Sequence, residues 1–144
     1  MSPTGPQLLA ATHAFLADIA AETSSVCLLS HFSTTQQVSF NHSPEENGTN
    51  SLTGLNAVRS YFDLLATHWT RHDVKEHHIA VYPEFQRVIL KASVRWVWKA
   101  SGRGWREEFT CTIDYDDHVK VKRLAVRTDS PPSTCVMRAV DNYQ

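Results

Sequence analysis

The chain has 144 residues, of which 42% are hydrophobic and 20% charged, and its net charge is −1. That composition describes one soluble globular domain with a single core. It lacks the basic excess of nucleic-acid or anionic-membrane binders, and no apolar run approaches the ~20 residues of a membrane helix.

Charge is unevenly placed. No Lys or Arg precedes Arg59, and the second half is mildly basic, which reads as a solvated sheet face. The first residues have no positive n-region, and Pro3, Gly5 and Pro6 precede the first apolar positions, unlike a secretory signal. Cys27, Cys111 and Cys135 are odd in number and have no C-x-x-C spacing. Free buried thiols in a reducing, cytoplasmic setting are the expectation.

In chain order, Gly5-Pro6 opens a first helix whose apolar face is Leu8, Leu9, Thr12, Phe15, Leu16 and Ile19, running to Glu22. Ser24 or Ser25 caps a short second helix over residues 26–31. Val38, Phe40 and His42 alternate, so Gln36 to His42 is a short strand. Ser43 to Ser51 is rich in Pro, Gly, Asn and Glu, and reads as an exposed loop able to act as a lid. Asn41-His42-Ser43 and Asn47-Gly48-Thr49 match the glycosylation sequon, which without a signal peptide reads as chance. In the third helix Leu55, Val58, Phe62, Leu65 and Trp69 form one stripe, flanked by Tyr61 and His68, with Thr53 as its cap.

From Asp73 to Asp129 the chain alternates with period two over three successive runs separated by turn residues. This predicts a four-strand antiparallel meander. A turn centred on Gly102-Arg103 would pair Trp98 with Glu107 and Trp96 with Phe109. A turn at Asp116-Asp117-His118 would pair Ile113 with Val121, Asp114 with Lys120 and Glu107 with Arg127. A turn at Pro83 to Gln86 would set Val81 against Val88. One face then carries His77, Ile79, Val81, Leu90, Val94, Trp96, Trp98, Glu107, Phe109, Ile113, Val121 and Arg127 and packs on the helices. The other carries Arg95, Glu108, Thr110 and Asp114, and a bulge in the last strand would swap the assignment there. Pro131-Pro132 ends the sheet, leaving residues 1–130 as the domain and 131–144 as a loose C-terminal arm.

Several local strings resemble one family. Leu52-Thr53-Gly54 followed by Ala57-Val58-Arg59-Ser60-Tyr61-Phe62 resembles the third helix of the SnoaL-like group of the nuclear transport factor 2-like superfamily. Trp105-Arg106-Glu107-Glu108-Phe109 resembles its "W-x-x-E-Y" strand, and Lys120-Val121 with Thr128-Asp129-Ser130 its closing strand. The resemblance implies an α+β cone, with three N-terminal helices packed on a curved antiparallel sheet around a cavity. It implies polyketide cyclase, isomerase or dehydratase chemistry on an apolar secondary metabolite, without a cofactor. It also implies a homodimer through the outer sheet face, where Val97, Leu124 and Val126 would form an apolar strip. The family's usual acid/base carboxylate falls at Val126 here, a side chain that cannot move a proton.

No metal-ligand spacing, phosphate loop or nucleophile motif is present; adjacent His77 and His78 point to opposite faces of a strand. The expected acid/base groups are therefore His42 and Glu107. Tyr61, His77, Trp96, Trp98, Phe109 and Arg127 are the expected walls of a pocket for a small apolar molecule. The alternative is a binding or dimeric interaction module that uses the same surfaces without catalysis.

Overall fold

The computed structural model describes residues 2–44 and 51–141. Helix α1 spans Gly5–Ala20, with Thr4 and Gln7 forming a reciprocal capping box and Pro6 in the first turn. Helix α2 spans Ser25–Leu29, capped by the Ser24 side chain on Cys27 N. Strand β1, Ser39–Ser43, and the two-residue strand β2, Leu52–Thr53, precede helix α3, Leu55–His68. Thr53 is not the α3 cap. Gly54 takes that place, at φ 92° and ψ 159°, a conformation open essentially to glycine alone. The interior of the loop expected over Ser43 to Ser51, including Asn47-Gly48-Thr49, lies outside the described residues.

Strands β3 (Trp69–Tyr82), β4 (Arg87–Trp98), β5 (Gly104–Tyr115) and β6 (Val121–Thr128) form the antiparallel meander. The whole sheet runs β2-β1-β6-β5-β4-β3, and β1 joins β6 in parallel. The curved, unclosed sheet wraps the three helices. Leu8 and Phe15 of α1, Leu28 of α2, and Val58, Phe62 and Leu65 of α3 are buried against Val88, Leu90, Val94 and Ile113 of the sheet. No helix among the described residues is long and apolar enough to cross a membrane.

Register decides which side chains face the helices. The β3–β4 hairpin pairs Val81 with Val88 and Ile79 with Leu90 as the turn predicts. The β4–β5 turn sits two residues earlier than expected: Trp98 N donates to Arg103 O, and Gly102, at φ 75°, donates to Trp98 O. Trp96 therefore faces Trp105, and Val94 faces Glu107. The partner of each β4 residue moves by four, an even shift, so the faces are unchanged.

The β5–β6 register moves by an odd number, and here the faces do change. Asp116 accepts hydrogen bonds from His118 N, Lys120 N and Ser33 Oγ, and Val119 takes φ 61°. This wider turn and the adjoining irregularity pair Ile113 with Leu124, Cys111 with Val126 and Asp114 with Arg123. Leu124, Val126 and Thr128 now face inward. Arg127 lies across from Thr110 on the outer face, with its Nε 3.2 Å from Asp129 Oδ1. The expected Glu107–Arg127 and Asp114–Lys120 pairs do not form. Instead Asp114 accepts from Arg87 at 2.6 Å and meets Arg123 at 3.5 Å. The outer strip expected from Val97, Leu124 and Val126 loses two of its three members.

Strand β3 is bulged twice, between His72 and Lys75 and between Glu76 and His78. The second irregularity turns His77 to the outer face, where its Nε2 lies 2.8 Å from Ser93 Oγ. It also turns Glu76 inward, 2.9 Å from His13 of α1. The C-terminal segment is not a loose arm over its described length. Trp105 Nε1 donates to Thr134 O at 2.7 Å, Arg103 meets Asp141 at 2.8 Å, and Cys135 and Val136 are buried.

Candidate active site

Three elements converge at the inner end of β1. His42 follows Val38 and Phe40 inward by alternation, and lies beside Val126 in the β1–β6 pairing. Tyr61 sits on the inward face of α3, and Glu107 on the inward face of β5. His42 Nδ1 is 2.7 Å from Tyr61 Oη, and His42 Nε2 is 2.8 Å from Glu107 Oε2. Glu107 is completely buried, and His42 and Tyr61 nearly so.

A buried carboxylate is costly unless donors surround it. Glu107 has them. Thr128 Oγ1 donates to Oε2 at 2.6 Å, Trp96 Nε1 to Oε1 at 3.0 Å, and Val136 N to Oε1 at 3.4 Å. Trp96 reaches Glu107 diagonally across the β4–β5 pair. Thr128 reaches it only because the β6 register turns that residue inward.

Burial by itself would lower the His42 pKa. Tyr61, Cys135 and the Glu107 carboxylate outweigh it and hold the imidazole well above its usual value. Burial raises the Tyr61 hydroxyl above its usual range, against the effect of His42. Burial would also raise the Cys135 thiol, but His42 and Thr128 bring it below its ordinary value. An imidazolium at His42 donates through both ring nitrogens, to Tyr61 Oη on one side and to Glu107 on the other. Tyr61 then accepts from His42, and its own proton points elsewhere. Among the described residues Tyr61 has no second hydrogen-bond partner.

The space beside Tyr61 is a cavity of about 70 Å³. Phe15, Phe40, Phe62, Val94, Trp96 and Val126 supply most of its apolar wall, and His42, Tyr61, Cys111 and Arg71 its polar groups. Ile19, Val74 and Phe109 are half-buried and bring the wall nearest the surface. A larger cleft of about 410 Å³ lies outside the sheet's end, between Trp98, Trp105 and the C-terminal segment. The smaller cavity is the better candidate, because the buried titratable groups line or adjoin it and the larger cleft has none of them.

His42 and Glu107, expected from sequence as the acid/base groups, are thus in direct contact. Tyr61, Trp96 and Phe109 are part of the cavity lining. Trp98 is not. It packs 4.8 Å from Trp69 and 5.9 Å from Trp105, beside the C-terminal segment. His77 and Arg127 are on the outer face. Sequence reasoning missed Arg71, Thr128, Cys135 and Val136. Arg71 was within reach: Trp69 is apolar and opens β3 facing inward, and alternation from there puts residue 71 on the same face. Thr128 depends on the bulged register, and nothing local to Cys135 or Val136 announces a fold-back onto β5.

Donor atoms of His42, Glu107 and Cys135 lie within 4.8 Å of one another. Two ligands of one tetrahedral zinc stand about 3.3 Å apart. In the structure His42 Nε2 and Glu107 Oε2 are at hydrogen-bond distance, 2.8 Å, so an ion held by the three would have to part them.

No family model matches the chain, and no curated protein matches its sequence. Solved structures do match in three dimensions. SalBIII, an epoxide hydrolase/cyclase-like enzyme of pyran ring formation in the polyether salinomycin, superposes with TM-score 0.74 at 9% identity, covering 88% of this chain and 94% of that one. The BvnE pinacolase from Penicillium brevicompactum superposes with TM-score 0.72 at 13% identity, covering 87% of both chains. A nuclear transport factor 2-like protein from Burkholderia xenovorans gives TM-score 0.71 at 12% identity, over 96% of this chain and 98% of that one. The chain therefore has the nuclear transport factor 2-like fold, an α+β cone of three helices and a six-strand curved sheet.

Proposed function

We propose that the cavity is a cofactor-independent proton-transfer site for a small apolar molecule, with Tyr61 as the group that meets the substrate. The Tyr61–His42–Glu107 chain carries this reading. Glu107 stabilises the imidazolium of His42, and His42 donates to the Tyr61 oxygen and favours negative charge there. The Tyr61 proton is thereby directed to an oxygen or carbon in the cavity, and His42 offsets part of the cost that burial puts on the resulting phenolate until it takes a proton back. A cycle of that kind isomerises or cyclises a substrate with no net change in protons. The apolar wall excludes competing water. Two of the fold neighbours, an epoxide hydrolase/cyclase-like enzyme and a pinacolase, support chemistry of this class. Val126 at the family's usual carboxylate position supports a different donor, which the chain from Glu107 provides.

At about 70 Å³ the cavity is well below the ~300 Å³ of an ordinary drug-sized pocket. That size favours a substrate of few heavy atoms, or the entry of only the reacting end of a larger one. The test is turnover of candidate epoxides, diols and enolisable ketones by the wild type, Tyr61→Phe and His42→Ala. Loss of ~10²–10⁴ in rate in folded Tyr61→Phe is expected. Unchanged turnover in that variant would overturn the assignment, and binding without turnover in the wild type would leave a non-catalytic ligand-binding module.

A further inference from the structure

Arg71 lines the same cavity and is only 6% exposed. It lies on the inward face of β3, directly across from Trp96. Its Nε donates to Ile19 O at 2.9 Å, which fixes the plane of the guanidinium against the end of α1. Nη1 and Nη2 donate to no acceptor among the described residues, and no carboxylate among them lies within ion-pair distance of Arg71. Other charged groups are better supplied. Glu107 has its four donors, and the outer-face Asp114 has two arginines. The terminal nitrogens are not sealed in the protein but open onto the cavity, and the charge of Glu22 reaches Arg71 only at longer range than an ion pair, so the guanidinium presents four N–H groups to whatever enters. Its fork geometry matches one class of partner in particular, a planar pair of oxygens.

We propose that Arg71 is a ligand-binding residue that receives a carboxylate, so that the molecule held in the cavity is a small apolar carboxylic acid. The two terminal amino groups take the two carboxylate oxygens. The hydrocarbon body lies among Phe15, Phe62, Leu65 and Val94, and the far end of the molecule meets Tyr61. The last point rests on the proton-transfer reading above; the carboxylate site does not. Burial lowers the Arg71 pKa, with Glu22 and Tyr61 acting in the opposite direction. An incoming anion reverses the effect of burial by restoring a partner to the charge.

The experiment is calorimetric or tryptophan-fluorescence titration of the full chain with butyrate, hexanoate and benzoate. The corresponding neutral amides are the controls, at fixed near-physiological salt. The wild type is expected to bind at least one of the acids about tenfold or more tighter than its amide, the effect of charge-assisted hydrogen bonds. Arg71→Met, which keeps an unbranched apolar stem and loses the guanidinium, is expected to abolish that preference. Arg71→Lys is expected to keep part of it. A failure of the catalytic reading is seen separately, as retained turnover in Tyr61→Phe, and leaves the acid-over-amide comparison of the wild type and Arg71→Met untouched. Equal affinity for acid and amide in the wild type, or no binding of any of the three acids at millimolar concentration, overturns the proposal whether or not the variants fold. An undiminished preference in Arg71→Met overturns it too.

Discussion

His42 and Glu107 meet at 2.8 Å with their side chains out of solvent, although 65 residues separate them in the chain. The pair couples the first strand to the third strand of the meander, and the other ring nitrogen of His42 lies 2.7 Å from Tyr61 Oη.

Breaking that pair from one side is expected to be severe. Glu107→Gln leaves the imidazolium buried without its counter-ion and should cost about 3–5 kcal/mol of stability. Glu107→Gln combined with His42→Asn should cost less than the two single changes added together, because the orphaned charge is then gone. Urea denaturation of the four proteins measures this; strict additivity would show that the two groups are not coupled.

The raised pKa of His42 has a definite sign in stability. The folded form binds the proton more tightly than the unfolded chain, whose value is near 6.5. The stabilisation is therefore complete below about pH 6.5 and is lost as pH rises through the folded value. The groups facing His42 are Tyr61 of α3, Glu107 of β5 and Cys135 of the C-terminal segment. Cys135 has a depressed pKa and contributes with the opposite sign, so the measurement belongs in the Cys135→Ser background. There, the stability advantage of His42 over His42→Gln should shrink as pH is raised from 6 towards alkaline values. An advantage that grows with pH would contradict it.

The hold on the C-terminal segment can be read from Cys135. Trp105→Phe removes the N–H that donates to Thr134 O, a hydrogen bond worth about 0.5–1.5 kcal/mol net. Local opening should rise by about 2- to 10-fold, and labelling of Cys135 by a thiol reagent should rise with it. Cys27 is exposed and must first be replaced by Ser. Unchanged labelling would mean that the indole does not restrain the segment.

Gly54→Ala should destabilise the entry to α3. At φ 92° and ψ 159° a Cβ meets no neighbouring atom, so the penalty is conformational alone, about 1–3 kcal/mol. A thermal melt within error of wild type would show that the backbone relaxes there at no cost.

The amino-acid sequence by itself determined the elements and most of the architecture. The stripe of Leu55, Val58, Phe62 and Leu65 makes α3 an amphipathic helix, and Trp69, expected at its end, opens β3 instead. The alternation of β4 and β5 fixes which of their residues share a face, and it survived a four-residue error in pairing because the side-chain period is two. His42, Tyr61, Trp96, Glu107 and Phe109 were legible for that reason: each sits on a regular element whose inward direction follows from its own neighbours. The tertiary structure decided everything that depends on an irregularity. One extra residue in β3 sends His77 outward. The Asp116 turn, held by Ser33 from a distant part of the chain, shifts β6 by an odd count and exchanges Arg127 for Thr128 at the site. Bulges and wide turns are set by long-range hydrogen bonds that local periodicity does not encode. The same holds for the return of Cys135 and Val136 to Glu107, and for the bond that ties Arg71 on the cavity wall to Ile19 of α1, since each is a relation between elements and not a property of any one of them.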